Sequence, residues 1–132
     1  MSKYLILYAA CTIVFFALDF MWLTTIAKST YQREIGSILL PNPNLAVAAG
    51  FYLLYLVGVV VLVAAPAEGD VMKALLTGAL LGFVAYGTYD LTNLSTLKGF
   101  TPTIAAIDMA WGTALTALSA AAGVWFTRLI VI

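Results

Sequence analysis

Four runs of about twenty apolar residues, joined by short polar connections, dominate this chain. A helix that crosses a bilayer needs about 20 such residues, and inside hydrocarbon the backbone polar groups must be satisfied within the segment itself. The runs cover residues 4–27, 45–65 and 71–97, with a fourth that begins after Thr101-Pro102 and continues to about residue 128. Of the 132 residues, 64% are hydrophobic and only 9% charged. A soluble domain carries about 25% charged residues, so a water-exposed surface of ordinary polarity cannot be built here. The sequence predicts an all-α integral membrane protein: a single domain over 1–132 made of four transmembrane helices.

The connections agree with that reading. Pro41-Asn42-Pro43-Asn44 precedes the second run and Pro66-Ala67-Glu68-Gly69-Asp70 follows it, while Thr101 is placed to cap the fourth with Pro102 in its first turn. Lys3 ahead of an apolar run is also the pattern of a signal peptide. The run is long enough to span, so an uncleaved first helix is expected. Residues 28–40 are too polar to cross. Tyr31, Ile35, Ile38 and Leu39 nonetheless keep helical spacing, which predicts a short amphipathic interfacial segment between the first two spans, with its aromatic at headgroup level.

Four spans place both termini on one face. Lys3, Lys73 and Arg128 then share the terminal face, and Lys28, Arg33 and Lys98 the other. With the basic residues evenly divided, the positive-inside rule does not fix the orientation. The first and third runs end alike, in Asp19-Phe20-Met21-Trp22-Leu23-Thr24-Thr25 and Asp90-Leu91-Thr92-Asn93-Leu94-Ser95-Thr96. Such a match suggests a duplicated helical hairpin related by an axis along the membrane normal.

Composition removes several functions. The chain has no histidine and one cysteine, Cys11. An intramolecular disulfide, a His/Cys zinc enzyme and a His-ligated b-type cytochrome are therefore excluded. Six basic and six acidic residues cancel without a basic run, which argues against nucleic acid as a partner. The lipid bilayer is the partner the composition does imply. No cofactor is indicated.

Three aspartates, Asp19, Asp90 and Asp108, lie inside the apolar runs. A carboxylate near the centre of a membrane helix costs about 2.5–3.5 kcal/mol on insertion scales. No Lys, Arg or His stands at similar depth to offset it. Asp19 is nine residues before Lys28, Asp90 eight before Lys98, and Asp108 six after Pro102. At 1.5 Å per residue all three fall roughly 9–13 Å below one surface. Tyr86, Asp90 and Asn93 share a helix face, Asp-x-x-Trp recurs as Asp19/Trp22 and Asp108/Trp111, and Tyr52 and Tyr55 enter from the same side. The pattern predicts an aromatic-walled acidic binding pocket of Asp19, Trp22, Tyr52, Tyr86, Asp90, Asn93, Asp108 and Trp111. Because burial and mutual repulsion both penalise the charged form, at least one of the three carboxyls is expected to hold a proton near neutral pH.

Two bland alternatives stand beside this pocket: aspartates as interhelical glue through hydrogen bonds, and tryptophans as packing residues. Gly78/Gly82 and Gly112/Thr116 form small-residue ridges that suit close helix packing within one chain or a homodimer seam. The functional readings are a small proton- or cation-coupled transporter, an intramembrane lipid-modifying enzyme using paired carboxylates, or a non-catalytic accessory subunit of a membrane complex.

Leu18-Asp19-Phe20-Met21-Trp22-Leu23, Tyr89-Asp90-Leu91-Thr92-Asn93-Leu94, Asp108-Met109-Ala110-Trp111-Gly112 and the Pro41-Asn42-Pro43 stretch before Phe51-Tyr52-Leu53-Leu54-Tyr55 resemble a bacterial membrane family catalogued as domain of unknown function 2177. The resemblance implies a small multi-pass protein of the bacterial cytoplasmic membrane. It implies no activity, substrate or partner.

Overall fold

The structure is a computed structural model that describes residues 2–131. Its elements are α1 (Ser2–Thr24), α2 (Ile26–Ile35), α3 (Leu45–Val59), α4 (Val71–Thr96) and α5 (Pro102–Val131), with no strand among the described residues. Among the described residues, four helices are long and apolar enough to cross a membrane, α3 doing so through its extension to Ala64. Polar caps set their starts. The Asn44 side chain accepts from the Val47 N–H at 3.1 Å, Asp70 from the Lys73 N–H at 3.1 Å, and Thr101 Oγ1 from the Ile104 N–H at 3.1 Å. Glu68 (φ 51°) and Gly69 (φ 84°) turn the chain between α3 and α4.

The second span is less regular than its uninterrupted apolar sequence predicts. Residues Val60–Ala64 form a π-helical turn, in which the Ala65 N–H reaches the Val60 carbonyl at 2.8 Å. No proline or charge lies within it, but Pro66 follows two residues on and has no N–H to continue the helical ladder. α4 meets this turn, and beyond it α3 and α4 stand apart.

Helix α5 is the centre of the bundle. Half of its most apolar window is buried in the chain, against 22–28% for the other spans. α4 lies along one side of α5 and α1 along another. Lipid tails are as apolar as these side chains, so close packing and interhelical hydrogen bonds must hold the helices together. At Gly82, a Cβ would collide with the Gly112 carbonyl, and at Gly112 it would enter the Tyr86 ring. Gly123 accommodates the Cys11 sulfur in the same way. Tyr55 and Thr116 join α3 to α5 through their hydroxyls at 2.9 Å, and the Tyr8 hydroxyl donates to the Leu53 carbonyl at 2.9 Å.

Of the two uses expected of the small-residue ridges, packing within one chain is the one seen. The Gly78/Gly82 and Gly112/Thr116 ridges face each other inside one chain, so neither is free to form a homodimer seam. The two halves of the proposed duplication also pack differently, since α4 and α5 touch backbone to backbone whereas α1 and α3 meet through the bulky side chains of Phe15, Phe16, Tyr52 and Tyr55. At one end of the bundle Lys3, Glu68 and Arg128 line a common cavity of about 190 Å³, which brings the start of α1, the turn before α4 and the end of α5 together.

Gly112→Ala and Gly82→Ala are expected to lose about 1–3 kcal/mol through overpacking. Gly50→Ala and Gly58→Ala, where nothing lies within 4 Å, are expected to stay within about 0.5 kcal/mol. Unfolding of the four variants in detergent micelles checks the contrast.

Candidate functional site

The packing of α4 on α5 determines where two of the acidic groups fall. Gly78 lies against Thr116 and Ala117, Gly82 against Gly112 and Gly87 against Met109. Continuing that antiparallel register brings Asp90 to Asp108. The two carboxyls are near enough to act on each other, and as two carboxylates they would repel, because neither has a hydrogen to donate. Asp90 is 0% exposed, and neither of its oxygens has a hydrogen-bonding partner.

Asp19 lies across the interface with α1, within reach of the charge of Asp108 but not clustered with the other two carboxyls. Their surroundings differ. Asp19 accepts a hydrogen bond from Trp111 Nε1–H at 3.1 Å. The Trp111 ring stacks on Trp22, with centroids 4.4 Å apart and planes 5° from parallel. The Asp19–Trp111 pair is a satisfied contact of the glue kind, whereas the buried Trp22 Nε1–H packs there without a hydrogen-bond partner. Asp108 instead accepts from the Tyr31 hydroxyl through Oδ1. The basic side chains nearest in sequence, Lys28, Arg33 and Lys98, are all exposed, and the Arg33 guanidinium turns to Glu34 at 3.5 Å. Among the described residues, no three acidic or cysteine groups are placed to hold a metal ion.

Where α3 and α4 diverge they leave a half-open cavity of about 620 Å³. Tyr52, Tyr55 and Phe51 of α3 face Tyr86, Tyr89 and Asn93 of α4 across it, with Tyr31 and Asp108 also contributing. The Tyr55 and Tyr86 rings meet edge to face at 6.4 Å. Of the eight residues expected to form one pocket, Tyr52, Tyr86, Asn93 and Asp108 line this cavity. Asp90 does not line it, and its carboxyl is buried beside that of Asp108. Asp19, Trp22 and Trp111 do not line it, because the indole stack and its hydrogen bond hold them in the α1–α5 contact.

Sequence reasoning missed Tyr31, Tyr89, Thr88 and Thr92 as lining residues. The helical spacing of Tyr86, Tyr89 and Asn93 carried the signal for Tyr89. Tyr31 carried the opposite signal. Its amphipathic spacing predicts headgroup level, yet α2 turns its Ala27, Tyr31 and Ile35 face onto protein, against the beginning of α5. The chain bends at Thr25 (φ −114°, ψ −87°), and Glu34 accepts from the Thr101 hydroxyl at 2.8 Å. Burial first, then the charge of Asp108, pushes the Tyr31 phenol above its usual range.

The family described as predicted membrane protein (DUF2177) matches residues 4–125. The chain belongs to that family. The match runs from α1 into the last turns of α5 and includes all of the residues named in this site. No curated protein and no solved structure matches the chain. Membership in DUF2177 therefore establishes a membrane protein and leaves its chemistry to be argued from the site.

Tyr31→Phe removes the hydroxyl that ties α2 to Asp108 and is expected to cost about 1–2 kcal/mol. Faster hydrogen exchange across residues 26–38 would report it. The folded phenol holds its proton more tightly than the ordinary value of 10.0. The folded state therefore binds more protons than the unfolded chain above that pH, and its stability falls as pH rises through this range. Tyr31→Phe should make that alkaline decline shallower in unfolding measurements.

Proposed function

We propose that this DUF2177 protein is a small proton- or cation-coupled transporter of the bacterial cytoplasmic membrane, with the Asp90–Asp108 pair as its coupling site and Asp19 as a further acidic neighbour. Tyr52, Tyr86, Asn93 and Asp108 contribute to the substrate cavity, and Trp22 and Trp111 support Asp19. The observation that carries the reading is the fully buried carboxyl of Asp90, without a hydrogen-bonding partner, beside an Asp108 that opens onto a cavity. Glue would require satisfied hydrogen bonds, as Asp19 has with Trp111. A carboxyl pair lacking a counter-cation must hold a proton or receive a positive ligand, and exchange of one for the other is coupling.

A second reading draws on the same adjacency. Two carboxyls beside a cleft between membrane helices also suit a general acid and a general base acting on a lipid. In that case vesicle lipids would change mass on incubation with the protein, and Asp90→Asn would stop the change.

The transport reading is tested in proteoliposomes with an acidic lumen and a trapped pH dye, to which sodium, potassium or ethidium is added in turn. At least one of these cations should alkalinise the lumen faster than in protein-free vesicles. Asp90→Asn and Asp108→Asn, each confirmed as folded by helix content, should abolish the response. Identical traces from wild type and both variants with all three cations would refute coupling at this pair.

A further inference from the structure

We propose that the cavity between α3 and α4 takes an amphipathic organic ammonium that arrives sideways from the lipid, its cationic head among the tyrosines against Asp108 and its apolar tail left in the cleft mouth. This rests on the reading of Asp90 and Asp108 as a coupling pair, and adds the class of ligand and its route.

Three observations converge on that class. The first is charge. Asp108 lines the cavity, Asp90 on the adjoining helix has two buried oxygens without a partner, and every neighbouring Lys and Arg is exposed. A positive ligand supplies the missing counter-charge. The second is size and wall chemistry. A volume of about 620 Å³ far exceeds a bare inorganic ion, and no three-group cluster suited to a metal is present among the described residues. Tyrosine faces attract an ammonium by cation–π contact, more strongly where water is displaced.

The third is the route. α3 and α4 meet at the π turn and then separate. Phe51, Thr88 and Thr92 line the cavity while remaining exposed on the flank of the bundle. That flank belongs to two membrane-spanning helices, so the opening faces acyl chains. A ligand using it must be at home in lipid while carrying the charge that the carboxyls require. An ammonium with a hydrocarbon tail satisfies both demands.

The test uses the full chain in phosphatidylcholine nanodiscs. Thr92→Cys introduces a thiol at the mouth, while Cys11 is fully buried. A membrane-permeant maleimide labels the new thiol in the presence of octylammonium, octanol or octanoate. Octylammonium should slow labelling about tenfold more than octanol, a difference of about 1.4 kcal/mol, and octanoate should not protect. Asp108→Asn should erase the difference. If that variant does not fold, Thr88→Lys, which places a fixed cation in the same wall, should erase it instead. Equal protection by octylammonium and octanol would overturn the ammonium assignment. No protection by any of the three would overturn lateral access. These results are distinguishable from failure of coupling: protection without any proton movement in vesicles removes the transporter and keeps the ligand class, whereas proton movement without protection does the reverse.

Discussion

A buried, unpartnered carboxyl on α4, near a second on α5, is the constraint on which the rest of this structure turns. In water such a pair would be hydrated and of little consequence. Between α4 and α5 no water-exposed cation reaches it, and Asp90 has no partner for either oxygen. The energy of a buried, unpaired charge in low dielectric greatly exceeds that of any one packing contact. Under the proposed coupling role the pair either holds a proton or draws in a cation from outside. Both states connect this part of the molecule to something mobile.

The glycine seam makes the pair possible. α4 and α5 approach until Gly82 meets the Gly112 backbone, with no room for a methyl group between them. A larger separation would carry Asp90 away from Asp108 and let lipid or water intervene. Packing energetics and site chemistry are thus set by the same residues. On the far side, α3 is held by the Tyr55–Thr116 bond and the Tyr8–Leu53 bond, yet it diverges from α4 beyond the π turn. Close packing on one side of α4 and a cleft on the other give the acidic pair an enclosed back and an accessible front. Tyr31 reaches Asp108 from a helix outside the spans, so α2 is tied to the same carboxyl.

Much of this was legible in the sequence. The lengths of the apolar runs and the proline-rich connections defined the four spans and nearly all of their ends, because backbone satisfaction in lipid leaves few choices. The common depth of Asp19, Asp90 and Asp108 followed from counting residues to the nearest surface lysine or proline. Direction around each helix was harder. Trp22 and Trp111 share the Asp-x-x-Trp spacing, but stacking on each other turned both away from the cavity. Tyr31 read as an interfacial anchor because amphipathic spacing does not say whether the apolar face meets lipid or protein. The π turn at Val60–Ala64 is not marked within its Val-rich run, and Pro66 just beyond it signals the end of the helix rather than a shift of hydrogen bonding by one residue. Small-residue ridges likewise do not specify whose helix they will meet.

Infrared spectroscopy of the carboxyl C=O stretch tests the central claim most directly, with the protein in lipid at pH 7 and no added organic cation. A band from a protonated carboxyl should be present, shift on exchange into D₂O, and be lost in Asp90→Asn or moved in Asp108→Asn. A spectrum showing Asp19, Asp90 and Asp108 all ionised, in protein free of bound cations, would contradict the account.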